Sequence, residues 1–133
     1  MSGVSWAAAL SVGIGGGLGS IARYLVGVWV LGRLPYPLPL GTLIVNVLGS
    51  FLIGLIAELA VLKPFGVTSE IRMFLVVGVL GGFTTFSSLA LEMTVLVRGS
   101  EWWWALFYSA GSVVVGVGAA FAGIALAKLL APA

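Results

Sequence analysis

The chain has no cysteine, no histidine and no aspartate, and its 133 residues include only six basic and four acidic side chains. Each absence removes a class of chemistry. Without Cys or His there is no ordinary transition-metal cage, no disulfide framework and no His-based triad. A net charge of +2 gives no nucleic-acid footprint, so no nucleic-acid partner is expected. The four glutamates fall on four different segments and offer little for paired-carboxylate catalysis, so an enzyme is not expected. What remains is apolar: 61% of residues are hydrophobic and 8% charged, against about 25% charged in soluble domains. This is the composition of an integral membrane protein.

The charges leave uncharged runs at 1–22, 34–57, 73–91 and 102–127, each able to supply a span of roughly 20 residues. The first basic side chain is Arg23, so no positive region precedes the first apolar run and a cleaved signal peptide is not expected. The expected fold is all-α, with four transmembrane helices in a single domain, 1–133. The first span, about Trp6 to Leu31, carries Gly13/Gly17 and Gly15/Gly19 at the small-xxx-small spacing that lets membrane helices approach closely. Arg23 lies inside it, where a mid-membrane arginine costs at least ~2.5–3.5 kcal/mol on insertion scales. Either it snorkels to the interface near Trp29 or it lines an anion-attracting vestibule.

The prolines of Arg33-Leu34-Pro35-Tyr36-Pro37-Leu38-Pro39 exclude a helix interior and mark a connector. The second span, about Leu40 to Leu62, carries Thr42, Asn46 and Ser50 at i, i+4 and i+8, a single polar stripe suited to interhelical hydrogen bonds or to lining a pore. Lys63 to Glu70 reads as a turn with Ser69 as N-cap and Glu70 in the following first turn. The third span is about Ile71 to Val97. In Arg98-Gly99-Ser100-Glu101, Gly99 is placed to stop one helix and Ser100 to cap the next. The fourth span, about Trp102 to Leu130, opens on an interfacial Trp102-Trp103-Trp104 belt and carries Tyr108 and Ser112 at i and i+4.

The third span contains the conflict that organises the chain. Gly78 to Glu92 lies in an apolar run, yet it includes three glycines, two threonines and two serines. Polar or non-helical backbone at membrane depth is tolerated only where protein buries it or a wet cavity bounds it. The third helix is therefore expected to break near Gly81–Phe86, at a site.

Orientation normally follows an excess of Lys/Arg on cytoplasmic loops. Here Lys63, Arg72 and Lys128 on one face oppose Arg33 and Arg98, with Arg23 if it snorkels that way, on the other. Near balance permits insertion both ways, and with it an antiparallel dimer of identical chains. If Asn46, Thr42, Ser50, Thr85, Ser88, Tyr108 and Ser112 share a pathway, amides and hydroxyls line it without a fixed acid. Such donors suit a small anion shedding its hydration shell, and the electropositive edges of Phe83 or Phe86 could assist.

Gly41-Thr42-Leu43-Ile44-Val45-Asn46, Gly81-Gly82-Phe83-Thr84-Thr85-Phe86-Ser87 and Tyr108-Ser109-Ala110-Gly111-Ser112 resemble the CrcB-type (Fluc) fluoride ion channels, and the likeness covers almost the whole chain. The resemblance implies a dual-topology antiparallel dimer in the cell (inner or plasma) membrane, with two pores exporting cytoplasmic fluoride that entered as the neutral acid. By the same likeness Asn46 and Phe86 line the ion track, Thr42, Tyr108 and Ser112 lie nearby, and Arg23 sits toward the vestibule. The carbonyls of Gly81 and Thr84 would hold a structural sodium ion at the dimer centre. Where the family usually shows a second phenylalanine, three residues after the first, this chain has Leu89. Either that position needs only an apolar wall in a homodimer, or a paralogous partner supplies the ring in a heterodimer. Two other classes compete. A dual-topology small-molecule exporter would need a membrane glutamate in the first span, which has none, and a structural membrane subunit would leave the polar stripes without a role.

Overall fold

The computed structural model describes residues 5–33, 39–62 and 68–131. The proline connector at 34–38 and the turn at 63–67, with Lys63, lie outside the described residues. Among the described residues every regular element is helical. α1 spans Trp6–Leu31, α2 Leu40–Leu62 and α6 Trp102–Leu130. The third span, Ser69–Arg98, is built from α3 (Ser69–Arg72), a π-helical stretch (Met73–Leu80), α4 (Gly81–Phe83) and α5 (Phe86–Arg98). All four spans are long and apolar enough to cross a membrane. At 1.5 Å per residue even α2, with 23 residues, reaches about 35 Å, against a hydrocarbon core of ~30 Å.

Local chemistry sets the ends. Ser5 Oγ accepts the Ala8 N–H at 3.3 Å and opens α1, and Thr68 Oγ1 accepts the Ile71 N–H at 3.3 Å and opens α3. The cap therefore falls one residue before the expected Ser69, which instead begins the helix, with Glu70 in its first turn. At the other end of the third span the Glu101 N–H reaches back to Leu96 O at 2.8 Å and the Ser100 N–H to Val97 O at 3.0 Å, the paired bonds of a Schellman motif. That motif requires a left-handed residue, and it falls on Ser100, at φ 62°, rather than on a glycine. Ser100 thus closes α5 instead of capping α6, whose N-cap position is taken by Glu101 without a side-chain hydrogen bond.

The spans pair out of sequence order. α1 packs chiefly on the third span and α2 on α6. In the first pair, glycines replace side chains at the crossing: a Cβ on Gly15 would stand 2.7 Å from Phe74 O, and one on Gly19 2.8 Å from Phe83 N, while Gly13 and Gly17 face open space. Of the two small-residue pairs on α1, the chain uses Gly15/Gly19 internally. Ser20 Oγ adds a bond to Gly82 O at 3.4 Å, across the same crossing. In the second pair Gly54 lies against the Ala120 backbone and Gly123 against Phe51 and Leu55. Val45 and Ala127 are fully enclosed, and Lys128 meets Glu58 at 3.8 Å near the C-terminal ends of α6 and α2.

The aromatic residues at the ends lie outward. Trp102, Trp103 and Trp104 are exposed, Trp103 stacking on Phe107, as an interfacial belt requires. The guanidinium of Arg33, not Arg23, sits 4.7 Å over the Trp29 ring.

Candidate functional site

The third span breaks at Thr84 and Thr85, inside the Gly81–Phe86 segment marked by its composition. Both residues are extended, Thr84 at φ −82°, ψ 156° and Thr85 at φ −153°, ψ 118°. The break is held from three directions. Thr84 donates to Leu80 O through both its N–H and its Oγ1, each at 2.9 Å, which ties off α4. The Asn46 side chain grips the Thr85 peptide from α2: Oδ1 accepts the Thr85 N–H at 2.7 Å and Nδ2 donates to Thr85 O at 2.9 Å. Thr85 Oγ1 in turn accepts the Ser88 N–H at 3.1 Å, donates to Ser88 Oγ at 3.1 Å and lies 3.2 Å from Ser87 Oγ, capping α5.

Two cavities flank this break, and Thr85 borders both. The smaller, about 320 Å³, is lined by Asn46, Ser50, Gly81, Thr84 and Phe86 among others. The larger, about 700 Å³, lies between α1, α2 and α5 and brings together Arg23, Thr42, Ser88 and Glu92. Seven of the ten residues expected at the site therefore reach a cavity wall: Asn46, Phe86, Gly81 and Thr84 at one, Arg23, Thr42 and Ser88 at the other. Tyr108, Ser112 and Leu89 line neither. The Tyr108 hydroxyl is buried and donates to Pro39 O at 2.6 Å, bracing the start of α2, and the Ser112 hydroxyl is buried without a hydrogen-bond partner among the described residues. Phe86 and Leu89 do not share surroundings. The Phe86 ring is 80% exposed in the single chain, whereas Leu89 is 8% exposed.

One residue enters the site unannounced by its spacing, and another, already expected on the polar track, takes a larger part than its spacing showed. Glu92 accepts a hydrogen bond from the Thr42 hydroxyl, while its other oxygen is buried without a partner among the described residues. A track free of acid is thus corrected for the larger cavity, where a carboxylate faces the polar stripe of α2; the smaller cavity has none on its wall. Thr85 is the second, since it carries the hinge of the whole arrangement. Its signal was present in the sequence as a Thr three residues before Ser88, the spacing of an N-cap within a helix that cannot run through.

These features define a small four-span membrane protein whose third helix opens at mid-span onto a polar site. The family described as CrcB-like protein, Camphor Resistance (CrcB), matches residues 10–124. The chain is 51% identical over 120 residues to a fluoride-specific ion channel FluC of Agrobacterium fabrum, covering 90% of this chain and 94% of that one. It is 47% identical over 121 residues to the fluoride-specific ion channel FluC of Rhizobium meliloti, covering 91% and 96%, and 50% identical over 121 residues to one from Thermus thermophilus, covering 91% and 94%. The chain belongs to the CrcB-like family, and it is a multi-pass protein of the cell membrane.

Proposed function

We propose that this chain is a passive fluoride-selective channel, not an enzyme, that acts as an antiparallel dual-topology homodimer and lets cytoplasmic fluoride run out of the cell. The observation that carries this reading is the small cavity at the break, where an oriented amide, a hydroxyl and an aromatic ring converge without a carboxylate. Relatives at about half identity over nearly their full length, named fluoride-specific ion channels, support it.

A small, strongly hydrated anion crosses an apolar layer only where fixed donors replace its water. Asn46 Nδ2 has two N–H groups and gives one to Thr85 O, which leaves the second for an ion in the cavity. Ser50 adds a hydroxyl on the same wall, and the Phe86 ring can turn an electropositive edge toward the anion. The Ser112 hydroxyl, without a partner among the described residues, is a further donor on α6, close to Tyr108 in register. Arg23 and Thr42 border the larger cavity, where the Arg23 guanidinium would offset the carboxylates of Glu92 and Glu101 on the same wall.

Charge and exposure support the dimer. The basic residues are nearly balanced between the two faces, which favours mixed insertion. Phe86 is 80% exposed in one chain, as a surface awaiting another copy would be. The residues at the break also fit a sodium ion. In a continuous helix the Gly81 carbonyl would accept from the Thr85 N–H and the Thr84 carbonyl from the Ser88 N–H, but those donors go to Asn46 and to Thr85 Oγ1. Two carbonyl oxygens are thereby freed at one cavity wall, the ligand type that a bare alkali cation takes. Bound there between two copies, sodium would supply a fixed positive charge and partners for those oxygens.

The test is efflux from liposomes containing only this protein. Fluoride should leave without a proton gradient and chloride should be retained. Chloride passing as readily as fluoride, or flux that needs a proton gradient, overturns the reading.

A further inference from the structure

The Thr85 peptide is the point at which the two sides of the break meet. Its N–H and its C=O are both engaged by a single side chain, Asn46, at 2.7 and 2.9 Å. Asn46 is the only side-chain carboxamide in the chain, and a carboxamide presents a neutral donor and acceptor side by side, as a peptide group does. The orientation of this amide is fixed by its partners, because the acceptor must meet the N–H and the donor the C=O. A consequence follows for Gly81, four residues earlier. The Thr85 N–H is the helical partner of the Gly81 carbonyl, and Asn46 withholds it.

We infer that Asn46 is a positioning residue for the cation site: by holding the Thr85 peptide it keeps the Gly81 carbonyl available to sodium, so one side chain joins the fluoride face of the break to its sodium face. This inference rests on the sodium-bearing channel proposed above. If the amide is removed, the Thr85 N–H is left without its partner, and the acceptor that a closed helix would give it is Gly81 O. Either that carbonyl is consumed as the helix closes over it, or the peptide rotates, and both outcomes degrade the cation site. An asparagine that serves only as an anion donor would leave sodium binding untouched.

The experiment is a sodium titration of the melting temperature, followed by intrinsic tryptophan fluorescence on the purified protein in lipid nanodiscs, with N-methylglucamine holding ionic strength constant. Wild type should be stabilised by sodium with a saturable midpoint. Asn46→Asp retains an oxygen to accept the Thr85 N–H, and its midpoint should stay within about threefold of wild type. Asn46→Leu retains the volume but neither polar group, and its midpoint should rise tenfold or more; Asn46→Ala replaces it if that variant does not fold. A wild-type midpoint in Asn46→Leu or Asn46→Ala overturns the inference, as does an Asp variant shifted as far as the apolar ones. Wild-type protein without sodium-specific stabilisation overturns it as well. Fluoride efflux measured on the same wild-type preparation separates the two failures: selective efflux leaves the channel standing while the positioning role falls, whereas no efflux removes the channel reading itself.

Discussion

Gly19→Ala tests whether the α1 crossing with the third span is as close as the geometry requires. The new Cβ would stand 2.8 Å from Phe83 N and would meet the Val79 carbonyl more closely still, against an ordinary separation of ~3.5 Å or more. These neighbours are backbone, so no side chain can swing aside, and α1 must lift away from a third span already packed along its length. Overpacking of this kind costs about 1–3 kcal/mol. Lifting α1 also stretches the Ser20 Oγ bond to Gly82 O, next to the freed carbonyl of Gly81, so both stability and flux should fall. Gly17→Ala is the control two residues away, where a Cβ meets nothing within 4 Å. Reversible melting in nanodiscs should show a loss of about 1–3 kcal/mol for Gly19→Ala, and fluoride efflux per folded protein should drop with it. If Gly17→Ala is as damaging as Gly19→Ala, the open edge of α1 is in contact with something other than lipid and reasoning from one chain is refuted. If Gly19→Ala is harmless, the crossing itself is wrong.

Ser100→Gly relieves a left-handed residue at the α5–α6 turn and should raise stability by about 1 kcal/mol without changing flux; a lower melting temperature would mean that the hydroxyl matters more than the backbone. Phe86→Ile should largely abolish fluoride efflux, since it removes the ring at the cavity wall, whereas Leu89→Phe should change little in a self-sufficient homodimer; rescue of a silent wild type by Leu89→Phe would indicate a partner chain that supplies the ring. Thr84→Ala should conduct, because the proposed ligand at that position is its carbonyl, and loss of flux there would implicate the hydroxyl bond to Leu80 O instead. A tag at the C-terminus should be labelled from both sides of the membrane, and labelling from one side only would rule out the dual-topology homodimer.

The limits of the spans and the place of the break were legible because they depend on composition within one segment: charges bound the apolar runs, and the densest cluster of glycines and hydroxyls is where a membrane helix most easily opens. The partners of the polar stripe were not. Thr42 finds Glu92 and Asn46 finds Thr85 only because the chain leaves helical geometry at Thr84, which resets the rotation of everything after it. Helical periodicity carried from Gly78 across such a break therefore assigns Glu92 to no particular face. The π-helical stretch from Met73 to Leu80 adds a second shift of register. Spacing also offered two equivalent glycine pairs on α1, and only the tertiary crossing distinguishes Gly15/Gly19 from Gly13/Gly17. Ser100 was misassigned for a similar reason, since the Schellman motif consumed it before α6 could use its hydroxyl.

The pairing of α1 with the third span and of α2 with α6 has a consequence for synthesis. A ribosome adds about 5–20 residues per second, so α2 must wait several seconds in the membrane before Ala120 and Gly123 of its main partner are made. During that interval Gly54 faces lipid or a chaperone, and after the third span arrives Asn46 can already close on Thr85. The last helix thus locks an arrangement whose polar bonds at the break are in place before it. A chain cut between α2 and α3 divides both principal helix pairs at once, so its two halves, made separately, each carry one member of either pair and should find each other rather than fold apart.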